Sequence, residues 1–499
     1  MNVQQFLQHH GIERNPFAEE DAQTDPVFKT RCLENVYHPA WDKIFGEPGD
    51  PATAVVFGEK GAGKTAMRLQ IAGHLDRYNA SQPGKRVFVV HYDDFNPFLD
   101  RFRSRLSSRR QRPDRVLAEW RLWDHMDAIL GLSVTQLVHW ILEPGRGSTA
   151  HAPAEPLPVD KLDKYQRRDL LLLAACYDQA TAAPLPERWN RLRRTLRYHD
   201  FQSWWPWLVG IVVGVLAIVG LVTGWVRENP NWPRSWVFVA LFIGGWIPWL
   251  WRAARRAWWS AGIIDHVRTG NGTLTSLWKI LMRLPTDQIA GQPLPNANRT
   301  DDRYEQLAKL QAILATLGYP GMIVLVDRID EPHLVNGSSE MMRGLVWPLL
   351  DNKFLKQPGL GVKLMLPVEL MRFIDREEHD FYQRARLDKQ NMIPSLEWTG
   401  EALYDVANAR IRACSAEGKS ADLRSLFASS VSDQMMIDGF RRLRVPRHLF
   451  KFLYRLLVTH CNSHSEREPV WEIPNTLFDA TLAIYLRELD AADKGLGVG

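Results

Sequence analysis

The feature that most constrains the fold of this chain is an octapeptide near its N-terminus, Gly58-Glu59-Lys60-Gly61-Ala62-Gly63-Lys64-Thr65. The apolar run ATAVVF directly precedes the octapeptide, and a helical pattern, AMRLQIAGHL, follows it. The spacing GxxxxGKT in this context predicts a strand, a phosphate-binding loop and a helix. Glycines let successive N–H groups point at a phosphate, and the helix N-terminus adds partial positive charge. All eight residues are therefore expected to bind a nucleotide.

Two side chains of the octapeptide have separate predicted roles. Lys64 would bridge the β- and γ-phosphates and so take part in catalysis, and Thr65 would ligate Mg²⁺ through its hydroxyl. The expected cofactors are therefore ATP and Mg²⁺. The motif itself does not distinguish ATP from GTP.

A second phosphate-site motif is expected at the end of another buried strand. Residues 322–326 are the apolar run MIVLV, and Asp327 follows them directly. Such a run is typical of a parallel strand that is buried on both faces, and Asp327 would hold Mg²⁺ through water. Asp330 or Glu331 would orient and deprotonate the attacking water. We predict Glu331 as this base and keep Asp330 as the alternative.

Further apolar runs indicate an α/β fold with a parallel sheet. Residues 85–95 and 361–370 read as strands between helical patterns, as βαβ units require. Three polar side chains close to their ends either face the γ-phosphate or are ordinary strand ends: Asp93, Asp94 and Glu369.

The C-terminal part of the chain, residues 401–499, reads as a helical bundle that would form a lid. Within it, residues 444–450, RVPRHLF, begin an amphipathic helix. We predict that Arg447 reaches the nucleotide phosphates from this helix. The alternative is that Arg447 is a solvated residue at a helix start.

Two long apolar segments lie between the two phosphate motifs. Residues 204–226 and residues 235–251 contain no charged side chain. A helix rises about 1.5 Å per residue, so the first segment crosses a hydrocarbon core of roughly 30 Å and the second is at the short limit. The connection, RENPNWPR, is short and contains two prolines. We predict a membrane-spanning helical hairpin; the alternative is a buried hairpin in a soluble core.

The arginines around this hairpin predict its orientation. The connection contains two, Arg227 and Arg234, whereas eight flank the hairpin: Arg188, Arg191, Arg193, Arg194, Arg197, Arg252, Arg255 and Arg256. Because positive charge favours the cytoplasmic side, both flanks are expected in the cytoplasm. The predicted location is the plasma (inner) membrane, crossed more than once.

A membrane hairpin between the two halves of one nucleotide site resembles the architecture of the KAP family of P-loop NTPases. The resemblance covers roughly residues 15–460, and its sequence-specific part is the two phosphate motifs and Pro446-Arg447. It implies a RecA/AAA-like parallel sheet flanked by helices, a helical lid that carries a sensor arginine, and kinship with the STAND signalling NTPases. The segment Asp327-Arg328-Ile329-Asp330-Glu331 departs from the KAP pattern of adjacent aspartates and is closer to the NACHT form.

These motifs predict five segments along the chain. They are the first half of the core with its N-terminal segment (1–100), a helical insertion (101–200), the hairpin (204–251), the second half of the core (252–400) and the lid (401–499). The resemblance suggests that residues 1–50 pack around the adenine. The basic sequence RFRSRLSSRRQRPDR, at residues 101–115, would form a solvated or membrane-facing surface.

Composition narrows the function classes. The net charge of +5 is small for this length, so a nucleic-acid partner is not required. The four cysteines lie far apart and form no metal-binding pattern. The mean hydropathy of -0.27 excludes a multi-span transporter. The chemistry is therefore expected at the phosphates.

We predict a membrane-anchored cytoplasmic ATPase that acts as a nucleotide-driven switch in signalling or assembly. It would work as a homo-oligomer with an unidentified protein partner, and the resemblance adds an association with bacterial defence. Two alternatives remain open. One is a membrane effector in which nucleotide-driven oligomerisation rearranges the hairpin into a pore, and the other is a membrane-tethered DNA-dependent ATPase.

Overall fold

The chain forms two compact units. One, the sheet unit, combines Met1–Asp94 with Gly321–Gly499, and the other, the inserted unit, is Phe95–Pro320. The second half of the core thus begins at Gly321, whereas the sequence analysis put it at residue 252. The computed structural model describes residues 1–33, 36–145, 152–153, 155–198, 205–226, 235–377, 381, 385–387, 390–418 and 421–493.

All strands of the described residues belong to the sheet unit. They are β1 Ala54–Gly58, β2 Val87–Tyr92, β3 Gly321–Val326, β4 Leu360–Pro367 and β5 Asn391–Ile393. The helices before the apolar segments are α1 Val3–His9, α2 Trp41–Phe45, α3 Lys64–Ser81, α4 Asn96–Ser104, α5 Pro113–Glu119, α6 Leu122–Leu142, α7 Lys164–Tyr177 and α8 Leu185–Thr195. The remaining helices are α9 Trp205–Val226, α10 Ser235–His266, α11 Leu274–Leu281, α12 Thr286–Ile289, α13 Asp301–Thr316, α14 Ser339–Val346, α15 Asn352–Leu355, α16 Met371–Ile374, α17 Gly400–Cys414, α18 Asp433–Arg441, α19 Pro446–Asn462 and α20 Asn475–Asp493.

The five strands form one parallel sheet in the order β2-β3-β4-β1-β5. This confirms an α/β fold with a parallel sheet flanked by helices, and it is compatible with a P-loop fold. The two strands that carry the phosphate motifs, β1 and β3, are separated by β4. Because neighbouring parallel strands have their carboxyl ends at one edge of the sheet, Gly58, Asp327 and Pro367 lie at the same edge.

Apolar side chains hold helix α3 against this sheet. Every residue of β1, β3 and β4 is buried, which explains their unbroken apolar sequences. Met67, Ile71 and Leu75 recur every four residues along α3 and pack with strand residues such as Val56 and Ile323. The helix that follows the glycine-rich loop is therefore fixed by its own apolar stripe.

The N-terminal residues pack on the C-terminal helices. Phe6, Leu7, Ile12 and Phe17 are buried in one core with residues of α17, α18, α19 and α20. The backbone connects the same two parts, since Glu13 N donates to Cys414 O at 2.9 Å. The core of the predicted lid is therefore built from N-terminal and C-terminal residues together.

Helices α9 and α10 form a closely packed pair in the inserted unit. Three glycines lie against side chains of the opposite helix, so that a Cβ would stand 3.2 Å from Trp246 at Gly210, 3.3 Å from Phe242 at Gly214 and 2.8 Å from Val213 at Gly245. Such small residues let two helices approach closely. Residue 204 and the connection at 227–234, including Arg227 and Arg234, lie outside the described residues.

Within the described residues, one helix is long and apolar enough to cross a membrane. It covers Trp236–His266, and only 11% of its most apolar window is buried. The apolar stretch described in α9, Trp207–Gly220, is shorter than a span. The structure thus supports one candidate span and does not support the expected multi-pass topology.

Helix α10 does not end at residue 251 as predicted. It continues to His266, and Arg252, one of the flanking arginines used to predict the orientation of the hairpin, is buried. Arg252 Nη2 donates to Met282 O at 2.8 Å and to Leu284 O at 3.0 Å. These backbone carbonyls accept hydrogen bonds from the Arg252 guanidinium inside the protein. The helix can therefore continue beyond the end of the apolar sequence.

The basic segment at 101–115 is divided between two uses. Arg105 donates to Ile264 O at 2.6 Å and to Gly270 O at 2.7 Å, and Arg101 donates to Thr269 O at 2.8 Å. These two arginines therefore bind the carbonyls at and beyond the C-terminal end of α10, which corrects the expectation of a solvated surface. Later arginines of the segment are exposed.

Candidate functional site

The loop between β1 and α3 adopts the curl that its glycines predict. Gly61 and Gly63 have φ values of 91° and 93°, a conformation that residues with a Cβ rarely adopt. Lys64 begins α3, and its Nζ donates to Gly58 O at 2.7 Å and to Glu59 O at 3.0 Å. The ammonium is thus held at the loop, at the N-terminus of an 18-residue helix.

The charges of three carboxylates act on Lys64. Burial lowers the pKa of the Lys64 ammonium. The charges of Asp327, Asp330 and Glu369 oppose this effect. They come from the ends of β3 and β4, so the two motifs that lie more than 250 residues apart meet at one edge of the sheet.

The predicted Mg²⁺ ligands lie next to each other. Asp327 is 2% exposed, and hydrogen bonding by the Thr65 side chain favours its charged form. Burial raises the pKa of Asp327, and Arg68 and this hydrogen bond act against the rise. Asp327 Oδ2 is buried and accepts no hydrogen bond from the described residues. A hydroxyl beside a buried carboxylate fits Mg²⁺, which takes few protein ligands and keeps water and phosphate oxygens.

Arg68 is a part of this region that the sequence analysis missed. Its Nε lies 3.3 Å from Asp327 Oδ2, it forms an ion pair with Asp93, and it donates to Gln23 Oε1 at 3.1 Å. It is 3% exposed. A signal was present, because Arg68 is four residues after Lys64 and so lies one turn further along the same helix face. Asp93 is therefore an ion-pair partner of Arg68 at the end of β2.

The two candidate bases differ in their surroundings. Glu331 has a side chain that is 51% exposed, and Arg328 Nε donates to its Oε1 at 2.7 Å. Arg328, directly after Asp327, has a φ of 60°, which turns the chain sharply at the strand end. Asp330 is partly buried, and its backbone O accepts from Gly337 N at 3.0 Å. The assignment between Asp330 and Glu331 stays a prediction.

Arg447 lies against the phosphate-binding loop. Its backbone N donates to Gly61 O at 3.4 Å, at the first turn of α19. A Cβ at Gly61 would stand 2.5 Å from Arg447 Cβ, so only glycine allows this approach. The charge of Arg447 also acts on Lys64. The lid arginine and the loop are thus brought together.

One open pocket is lined by most of these residues. From the predicted set it is lined by Lys60, Gly61, Gly63, Lys64, Thr65, Asp327, Asp330, Glu331 and Arg447, whereas Gly58, Glu59 and Ala62 belong to the loop without lining the pocket. The other walls come from the N-terminal segment and from α17 and α19, through Glu19, Glu20, Asp21, Asp25, Phe28, Cys32, Val36, His38, Val406, Ala409, Arg410 and Phe450. Apolar rings beside a phosphate loop suit a flat base.

Two further contacts lie in the wall of the pocket. No sequence motif indicated them. Trp398 Nε1 donates to Ala62 O at 2.8 Å, and the ring stands edge-on to His38 at 4.9 Å between centroids. Arg410 on α17 forms an ion pair with Asp25, and its guanidinium lies 5.4 Å from the centre of the Phe450 ring. The N-terminal segment and the lid are therefore joined at the wall of the pocket.

No protein family model, curated protein or solved structure matches this chain. No group of three or more His, Cys, Asp or Glu side chains able to hold a metal ion occurs among the described residues. The resemblance to the KAP family accordingly rests on the phosphate motifs and the order of the segments, and it stays a prediction.

Proposed function

We propose that this chain is a Mg²⁺-dependent P-loop ATPase, tethered to the plasma membrane, that works as a nucleotide-driven switch. One observation carries the proposal. The glycine-rich loop, Asp327 and Arg447 come from three distant parts of the sequence and line one pocket. Chance would rarely assemble a phosphate loop, a metal-binding carboxylate and a lid arginine in this way.

The chain's own residues would divide the reaction among them. Backbone N–H groups of the loop and Lys64 would bind the β- and γ-phosphates, and Arg447 would reach them from the lid. Thr65 and Asp327 would hold Mg²⁺, which neutralises charge on the phosphates when bound. Glu331 would orient and deprotonate water. It is our choice over Asp330 because its side chain is the more exposed of the two.

The switch proposal is supported by the way the lid meets the loop. Arg447 contacts Gly61 through its backbone, and Arg410 is tied to Asp25 at the same pocket. A nucleotide there would contact the loop and the lid together, so it would favour lid positions that match its phosphates. We propose that this bias changes the oligomeric state or binds a protein partner.

The tether proposal is supported by α10 and by its packing with α9. Both helices expose apolar side chains, with Leu216 at 65% and Ile243 at 57%. A soluble core would bury such residues, whereas a bilayer would cover them. We propose that α10, together with the α9 helix packed against it, anchors the chain in the membrane and that the sheet unit is cytoplasmic.

The two alternatives have less support. The described stretches Trp207–Gly220 and 236–251 contain no charged residue that could line an ion path, which disfavours a pore. A DNA-dependent ATPase would need a basic surface, and Arg101 and Arg105 of the basic segment are used to bind carbonyls of α10 and the residues after it.

The decisive experiment compares phosphate release by the detergent-purified wild type with that of three variants. Lys64→Ala should abolish hydrolysis, and Glu331→Gln should slow it by about 10²–10⁴-fold while keeping ATP bound, as loss of a general base does. Asp330→Asn tests the alternative base. Lys85→Ala, an exposed lysine outside the pocket, is the control.

Oligomer size should be measured by light scattering with and without ATP. A larger or smaller particle with ATP in wild type and Glu331→Gln, but not in Lys64→Ala, supports the switch. If wild type hydrolyses no ATP at any Mg²⁺ concentration, the ATPase proposal is wrong. If it hydrolyses ATP at constant size and with no partner, the switch proposal is wrong.

A further inference from the structure

Six of the eight arginines that flank the apolar helices fall into two structural groups. Three of them are buried and donate hydrogen bonds within the inserted unit. Arg188 Nε donates to Asp178 Oδ2 at 2.7 Å, Arg252 donates to two carbonyls, and Arg256 Nη2 donates to Leu284 O at 2.9 Å. These three side chains are not on the surface, so they contribute nothing to a contact with lipid headgroups.

A second group of basic side chains faces solvent on three neighbouring helices. We call it the basic collar, and it consists of Arg191 and Arg194 on α8, Arg255 on α10, and Lys279 with Arg283 on or beside α11. Arg255 is partly exposed and the others are exposed. The residues of α11 include no acidic side chain. An acidic residue close in sequence to the collar is Glu187 in the first turn of α8.

Direct contacts join the three helices of the basic collar. Trp278 Nε1 donates to Ala253 O at 3.2 Å, which joins α11 to α10. Arg283 is hydrogen-bonded to Asn190, which joins the end of α11 to α8. The collar therefore lies where the apolar part of α10 ends, at residue 251.

Exposed tryptophans accompany the collar. Trp251 is 63% exposed and Trp258 is 69% exposed, two turns apart on α10. The Arg255 guanidinium between them lies 5.4 Å from the centre of the Trp251 ring and 4.6 Å from that of Trp259. Tryptophan and arginine at the end of an apolar helix are typical of the headgroup layer of a bilayer.

We infer that the basic collar binds anionic phospholipid headgroups of the bilayer that α10 enters. The inference rests on the proposed membrane tether and adds the class of lipid and the residues that recognise it. Two observations favour lipid over other anions: the collar continues directly from the apolar helix, and large exposed rings alternate with its charges. Free phosphate would gain nothing from the rings.

The test measures lipid selectivity of the full-length protein in bilayers. Spin-labelled phosphatidylglycerol and phosphatidylcholine report how much of each lipid the protein immobilises. Wild type should prefer phosphatidylglycerol by at least about fivefold, the factor that one basic residue near an anionic surface provides. The triple variant Arg191→Gln/Arg194→Gln/Lys279→Gln should lose this preference, and high salt should weaken it in wild type.

A control variant removes the same number of charges elsewhere in the inserted unit. Arg109→Gln/Arg112→Gln/Arg115→Gln changes exposed residues in and before α5. This segment follows Arg105, which binds Ile264 O, nine residues or about 14 Å beyond Arg255 along α10 at 1.5 Å per residue. The control should keep the preference. Circular dichroism and ATP binding check that both variants fold.

Equal immobilisation of the two lipids by wild type would overturn the inference. So would a preference that survives in the collar variant or disappears in the control. Alkaline extraction of native membranes separates this from the tether. A protein that resists extraction but shows no lipid preference refutes the collar alone, and a protein released by alkali refutes the tether and the collar together.

Discussion

Buried charged side chains have different roles in the two units. In the inserted unit, Arg303 and Asp127 are both completely buried, and two hydrogen bonds of 3.0 Å join them. In the sheet unit, Asp327 is nearly as buried, but it lines an open pocket, and its Oδ2 lies 3.3 Å from Arg68 Nε without a hydrogen bond from the described residues. A buried charge that protein groups satisfy fully is costly to leave without its partner. A buried charge left incomplete beside a pocket is prepared for a ligand.

The largest effect is expected when the enclosed pair is broken. Arg303→Met leaves the Asp127 carboxylate buried without its partner and should lower the free energy of unfolding of the inserted unit by about 3–5 kcal/mol. Calorimetry measures this, and nucleotide affinity should be unchanged. The double variant Asp127→Leu/Arg303→Met should recover much of the stability. A loss of nucleotide binding in Arg303→Met without a loss of stability would erase the distinction between the two units.

The next effect tests the open site. Gly61→Ala should weaken nucleotide binding at least about tenfold, or 1.4 kcal/mol, because φ is 91° and the new Cβ would collide with Arg447. A titration with a fluorescent ATP analogue measures the affinity. Gly418→Ala is the matched control, since its φ is 80° but nothing lies within 4 Å of the added Cβ. Equal loss in both variants would show that backbone strain, not contact with the lid, is responsible.

A smaller effect concerns pH on the alkaline side. Burial, with the charge of Asp127, raises the pKa of Asp124 in the inserted unit to about 8. The folded unit keeps a proton that the unfolded chain has already released, so stability should fall as the pH rises from about 4 towards 8. Asp124→Asn should reduce the fall in melting temperature between pH 6 and pH 8.5. Asp163→Asn, at an exposed helix start, is the control and should leave the fall unchanged.

The smallest effect is expected on the acid side, in the lid. Burial lowers the pKa of His10 and of His460, whose Nε2 atoms bond to Trp471 O at 2.7 Å and to Val470 O at 2.9 Å. The neutral rings are favoured in the folded state, so this stability is present above pH about 6.5 and is lost as the pH falls below it. The protection factors of the α1 amides against hydrogen exchange should therefore fall at pH 5.5. His460→Gln should reduce that change, and protection factors independent of pH would contradict the assignment.

The parts of the fold that sequence predicted are those encoded locally. The strand, loop and helix around Lys64 are continuous in the chain, and the apolar run before Asp327 identifies a buried parallel strand by itself. The end of α10 was misjudged for a physical reason. Arg252 looks like an interface residue in sequence, but the carbonyls that satisfy it follow about thirty residues later.

The rest of the site depends on contacts between distant segments. Trp398 and Ala62 are 336 residues apart, and Arg410 and Asp25 are 385 residues apart. No local pattern marks these residues, because tryptophan and arginine are ordinary in helices and loops. The residues that form the walls of the pocket could therefore be identified only from the structure.

The strand order has a consequence for synthesis of the chain. β1 and β2 do not pair with each other. β2 pairs with β3, and β1 pairs with β4 and β5. β2 leaves the ribosome roughly 230 residues before its partner β3, and β1 roughly 300 residues before its partner β4. At about 5–20 residues per second, they wait roughly 10–60 s for a partner. During that time two apolar strands have unpaired edges, so a nascent chain of this protein should bind holding chaperones until the inserted unit has been made.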